Sequence, residues 1–216
     1  MAFDAVIFDL DGTLTDSAPG LLASFRHMHE QLGWPVPDDA VLRSWLGPPM
    51  VTILRDQGHD EASVEQAAEV FRGYLVERGF AQQQLFDGVE DLLDGLHAAG
   101  QEMAIATFKL QSDAELVAGR LGLDARMKAV HGRIGDEGGH SKAPVIERAL
   151  GSLGLDASDR IAMVGDRSHD IASAAELGLT TIGVSYGYGG EAELRDAGAM
   201  RIVGSVTELG DTLRIT

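Results

Sequence analysis

Short apolar runs alternate along this chain with stretches of helical periodicity. The run "AVIFDL" (5–10) is short and rich in β-branched and aromatic residues, as expected for a strand buried on both faces of a parallel sheet. "EMAIAT" (102–107), "IAMVGD" (161–166) and "TTIGVS" (180–185) repeat that character, with "KAVHG" (128–132) and "RIV" (201–203) as weaker examples. The amphipathic stretches between them close on Gly100, Gly122, Gly154 and Gly178, where left-handed helix termini are expected. Strands alternating with helices of this length predict βαβ units and an α/β fold with a doubly wound parallel sheet.

The alternation stops between residues 17 and 86. "LLASFRHMHEQLG" puts Leu21, Leu22, Phe25, Met28 and Leu32 on one helical face, and "EASVEQAAEVFRGYLVERG" does the same with Val64, Ala67, Ala68, Phe71 and Leu75. Prolines and glycines in "GWPVPDD" and "LGPPM" break the region into segments. The expected organisation is a sheet core of residues 1–16 and 87–216 carrying an inserted helical domain of residues 17–86. That insert is expected to form a second layer over the sheet's carboxyl edge.

Composition narrows the function. The 216 residues carry 34 acidic and 17 basic side chains, a net charge of −17. Such a field repels nucleic acid and anionic membrane, so neither is an expected partner. It also repels phosphorylated metabolites, which would need locally concentrated cations, and the only lysines are Lys109, Lys128 and Lys142. There is no cysteine, hence no disulfide framework and no thiolate metal site. Without a secretory leader or a run long enough to span a bilayer, a soluble cytoplasmic protein is the expectation.

The chemistry-bearing residues gather at strand ends. Asp9 and Asp11 end the first strand, Thr107 ends "EMAIAT", and Asp166 ends "IAMVGD" with Asp170 one helical turn on. Parallel α/β sheets bind ligands beyond the carboxyl ends of their strands. Crowded carboxylates resist joint ionisation unless a cation compensates. Mg²⁺ suits them, being hard, oxygen-seeking and usually shared between one or two carboxylates and phosphate oxygens.

"DLDGTLTDS" (9–17) resembles the first motif of the haloacid dehalogenase superfamily. Thr107, Lys142 in "SKAP", and Asp166 with Asp170 in "GDRSHD" follow in that family's order. The helical insertion resembles a C1 cap, and "LGPP" (46–49) with "GVSYGYG" (183–189) resembles the phosphoglycolate phosphatase-like branch. The resemblance implies a Rossmann-like core. It also implies that Asp9 is the nucleophile that becomes an aspartyl-phosphate, and that Asp11 is the general acid and base. Asp9, the Asp11 backbone carbonyl, Asp166 and Asp170 would bind Mg²⁺; Thr107 and Lys142 would hold phosphoryl oxygens. Phe108 departs from the family, which often has a small polar residue there; only its backbone N–H remains to meet phosphate.

Other residues read more plainly. Lys109 is expected to be a surface charge, "GYGG" (187–190) a mobile turn, and His169 a packing or capping residue. His27 and His29 cannot share a helix face, and His59, His97, His131 and His140 lack metal-ligand spacing. Trp34, Trp45 and Phe86 read as packing residues, and Arg167 is assigned no role. The expected function is Mg²⁺-dependent hydrolysis of a small phosphate ester, phosphoglycolate-like. A β-phosphoglucomutase-type phosphotransferase and a noncatalytic phosphoacceptor receiver are the alternatives.

Overall fold

The computed structural model describes residues 3–135 and 141–215; His140 lies outside them. Cα packing divides the chain into one unit of Met1–Thr15 with Leu85–Thr216 and a second of Asp16–Gln84. The chain opens with β1 (Ala5–Phe8) and the two-residue β2 (Thr15–Asp16). Four helices follow: α1 (Ala18–Leu32), α2 (Asp39–Ser44), α3 (Met50–Asp56) and α4 (Glu61–Tyr74). A π-helical turn (Leu75–Gly79) and a 3-10 turn (Phe80–Gln82) lead to β3 (Gln84–Leu85), which pairs with β2.

The remainder alternates as its apolar pattern predicts: α5 (Val89–Ala98), β4 (Glu102–Leu110), α6 (Gln111–Arg120) and β5 (Ala129–Arg133). Then come α7 (Ala143–Leu153), β6 (Ile161–Gly165), α8 (Ser168–Glu176) and β7 (Thr180–Val184). The described chain closes with α9 (Gly190–Asp196), β8 (Arg201–Val203) and α10 (Val206–Ile215). Gly100, Gly122, Gly154 and Gly178 all take the left-handed conformation expected of them.

The six long strands form one parallel sheet in the order β5-β4-β1-β6-β7-β8. Counting only these strands along the chain, the order is 3-2-1-4-5-6, the Rossmann arrangement. It reverses between β1 and β6, and the crevice at that reversal is where such sheets place ligands. All of β1 is buried. Ala5 and Ile7 pack with Val145, Ile146 and Ala149 of α7 and with Met163 of β6. Val6 and Phe8 alternate to the opposite face. Burying Ile7 and Phe8 contributes roughly 1.5–3 kcal/mol each, so the strand carrying the first carboxylate motif is anchored before its polar end begins.

Within the helical unit, the apolar faces of α1 and α4 meet through Phe25 and Phe71, whose ring centroids are 4.8 Å apart. Trp45 closes on Phe25 edge-on at 5.3 Å. Asp38 and Asp60 cap α2 and α4 by accepting from the N–H groups of Val41 and Ser63. Trp34 and Trp45 are therefore packing residues of this unit, stacked with His59 and His29. Phe86 belongs to the sheet unit, where its ring meets Tyr186 at 5.3 Å.

Candidate active site

The ends of β1 and β6 bring two carboxylates together, and the first turn of α8 adds a third. Asp9 follows β1 directly, its N–H donating to Val164 O of β6 at 2.9 Å. Asp166 follows β6, and Asp170 lies on α8. One carboxylate oxygen from each of these residues lies within 4.8 Å of the other two. All three side chains are buried.

Lys142 is fully buried among them. Its Nζ is 2.8 Å from Asp9 Oδ1 and also contacts Asp170 Oδ1. These contacts are ionic, and among the described residues no aligned donor reaches either buried oxygen. Lys142 is the N-cap residue of α7 and is held there by its backbone N–H, which donates to Ser173 Oγ of α8 at 2.8 Å. A cation at a helix N-terminus is unfavourable by itself; the facing carboxylates outweigh that. Asp170 has two tasks: Oδ1 meets Lys142, while Oδ2 accepts from the N–H of Arg167 and caps α8.

One lysine does not neutralise three buried carboxylates. Burial, followed by Asp170 and Asp9, pushes the Asp166 carboxyl well above the usual range. Asp9 is also raised, mainly by burial and by Asp170, with Lys142 working against both. Burial opposes the charge on Lys142, but Asp170 and Asp9 outweigh it and hold the ammonium well above its ordinary pKa. Three clustered oxygen donors, excess negative charge and buried oxygens lacking aligned donors fit a hard divalent ion.

Asp11 is held apart from this cluster. Its Oδ2 is 2.8 Å from Lys109 Nζ, and its Oδ1 accepts from Thr15 Oγ1 at 3.5 Å. Lys109 is thus not a surface charge: its side chain is only 5% exposed. The turn separating Asp9 from Thr13 requires Gly12, at φ 86°. A Cβ there would stand 2.2 Å from Asp166 Oδ2, so strain and collision both exclude a larger residue.

Thr107, at 2% exposure, follows the stretch of β4 that pairs with β1 and accepts from the Lys109 N–H at 3.3 Å. The Phe108 ring lies beneath the Lys142 ammonium, 5.3 Å from its centroid, and 4.6 Å from the His169 ring. His169 is the packing residue expected, and burial, with Lys142 second, pushes it down to about 3. Arg167 pairs with Glu193 at 2.9 Å.

The loop after β7 corrects the expectation of a mobile turn. The Tyr188 N–H donates to Asp166 Oδ2 at 2.7 Å, and Tyr186 Oη donates to Thr13 O at 3.0 Å. Thr13 Oγ1 in turn donates to Asp166 Oδ1 at 3.3 Å. Burial, with Asp166 nearby, pushes the Tyr186 phenol up, so it keeps its proton. The loop follows β7, which pairs with β6, so its start neighbours Asp166.

A family model for haloacid dehalogenase-like hydrolases matches residues 6–184, and the chain belongs to that family. Proteins named tyrosine-protein kinase PtkA, such as that of Mycobacterium tuberculosis, are 42% identical over 85% of this chain. The chain spans 62% of their length. A 5'-nucleotidase of Pseudomonas aeruginosa is 35% identical, covering 90% of this chain and 88% of its own. A phosphoglycolate phosphatase of Chromobacterium violaceum is 33% identical over 97% and 96% of the two chains. The crystal structure of a predicted phosphatase from Clostridium acetobutylicum superposes with a TM-score of 0.92 at 33% identity, covering both chains fully. Within the family the chain is similar to the phosphoglycolate phosphatase-like branch. No helix among the described residues is long and apolar enough to cross a membrane.

Proposed function

We propose that this protein is a Mg²⁺-dependent phosphomonoesterase acting on a small phosphorylated metabolite through an aspartyl-phosphate on Asp9. The observation that carries the reading is the meeting of Asp9, Asp166, Asp170 and Lys142 at the sheet's switch point.

A carboxylate of Asp9 attacks phosphorus, and the bond from phosphorus to the ester oxygen breaks. Asp11, held by Lys109, gives its proton to the departing alkoxide. It then takes a proton from the water that cleaves the acyl phosphate, which restores both aspartates. Thr107, the Phe108 N–H and Lys142 hold the equatorial phosphoryl oxygens, so positioning and charge neutralisation supply most of the rate. Asp9, Asp166, Asp170 and the Asp11 backbone carbonyl would hold Mg²⁺, which when bound offsets the negative charge gathered by the carboxylates and the phosphoryl group.

The test is release of inorganic phosphate from a panel that includes phosphoglycolate, nucleoside monophosphates and p-nitrophenyl phosphate. Release should require Mg²⁺ and vanish in Asp9→Asn; unchanged turnover in that variant refutes the mechanism. The identity with PtkA favours a second reading, phosphoryl transfer from a nucleotide to protein tyrosine. Radiolabel from γ-labelled ATP on tyrosine, with little free phosphate, would select it.

A further inference from the structure

We propose that Tyr186 is a positioning residue that locks the Asp9–Thr13 turn onto Asp166 and so sets the protein's affinity for Mg²⁺. The inference rests on the metal-dependent reading above. The first-motif turn and Asp166 lie 153 residues apart, taking Thr13 as its end. Backbone sheet pairing aligns β1 with β6 only as far as the Asp9 N–H. Beyond that level the sheet pairs the two segments no further, and something else must hold them in register.

The loop after β7 supplies the hold through three links. Tyr186 Oη donates to the backbone oxygen of Thr13, itself a fully buried residue. Thr13 Oγ1 donates to one oxygen of Asp166, and the Tyr188 N–H to the other. Both oxygens of Asp166 are thus oriented by groups tied to the same loop, fixing which lone pairs remain to face Asp9 and Asp170.

The Tyr186 ring is itself fixed by Phe86, whose N–H donates to the O of Leu14, the residue after that turn. Close packing completes the arrangement. A Cβ on Gly187 would lie 2.3 Å from Gly12 O and 2.4 Å from Asp166 Cβ, so loop and turn touch backbone to backbone. Groups that orient metal-binding carboxylates in this way typically change metal affinity by about 10–100-fold when removed.

The experiment uses the full chain and Mg²⁺ alone. Isothermal titration calorimetry without substrate measures Mg²⁺ affinity in the wild type, Tyr186→Phe and Gly187→Ala. Circular dichroism melts and p-nitrophenyl phosphate kinetics are run beside it. Tyr186→Phe removes one hydroxyl and should weaken Mg²⁺ binding about tenfold, with kcat/KM recovering at high Mg²⁺. Gly187→Ala keeps the hydroxyl but wedges the loop from the turn, and should weaken binding at least as much. A lower melting temperature with unchanged Mg²⁺ affinity would make the tether merely structural and overturn the proposal. A wild type that binds no Mg²⁺ would instead overturn the metal-dependent reading beneath it.

Discussion

Lys142 Nζ stands 2.8 Å from Asp9 Oδ1 and touches Asp170 Oδ1, so one buried ammonium joins the proposed nucleophile to the carboxylate that caps α8. Lys142→Met removes the only cation inside the cluster among the described residues and leaves like charges facing one another. Turnover should fall by roughly 10²–10³-fold, the usual effect of losing one group that stabilises transition-state charge. Stability without metal should drop by about 3–5 kcal/mol. Phosphate release and urea unfolding in EDTA check both; a variant of wild-type turnover would remove Lys142 from the mechanism.

The Lys109–Asp11 pair makes a prediction that depends on the leaving group. In Lys109→Met the acid and base loses its ionic partner and its fixed orientation. Turnover of an alkyl phosphate should fall by about 10–100-fold, part of what general acid catalysis supplies. p-Nitrophenyl phosphate, whose leaving group needs no proton, should suffer much less. Equal losses on the two substrates would mean that Lys109 acts elsewhere.

Phe108 sits where the family often has a small polar residue, and its ring faces the Lys142 ammonium. Phe108→Leu keeps most of the bulk but removes the negative ring face. A cation–π contact of about 1 kcal/mol then predicts a drop in kcat/KM of about fivefold with little change in melting temperature. Phe108→Ser also opens a cavity and should cost about 3–5 kcal/mol of stability. Both are read by kinetics and thermal melts, and an unchanged kcat/KM in the leucine variant would deny the ring an electrostatic part.

The helical unit should carry its own acid sensitivity. His29 Nδ1 lies 2.7 Å from Pro35 O, so that nitrogen holds the proton and Nε2 is buried bare. Burial lowers its pKa from the ordinary 6.5. The unfolded chain therefore binds the extra proton more readily than the folded one. The stability this contributes is whole above pH 6.5 and is lost as pH falls from there toward the depressed folded value, by at most about 1.4 kcal/mol per pH unit. Urea unfolding at pH 7.5, 6 and 5, followed by fluorescence of Trp34 and Trp45, should show a shallower loss in His29→Phe. Parallel curves would exclude His29 as the cause.

Most of the sheet was legible because a strand buried on both faces writes itself as an unbroken apolar run, as in Ala5–Phe8 and Ile161–Val164. Asp9, Asp166 and Lys142 were legible because each is misplaced unless a counter-charge faces it. Lys109 and Tyr186 were not. A lysine and a tyrosine beside a strand end look the same whether they face solvent or a buried partner, and only tertiary contact settles which. The turn at Gly187 misled for a related reason, since glycine marks both a loose loop and a backbone pressed against its neighbour.

The position of β1 between β4 and β6 sets a schedule for the growing polypeptide. Asp166 leaves the ribosome 153 residues after Thr13, a delay of roughly 8–30 s at ordinary elongation rates. Throughout that interval the β6 edge of β1 has no partner, the carboxylate cluster is incomplete, and the nascent chain is most exposed to mispairing.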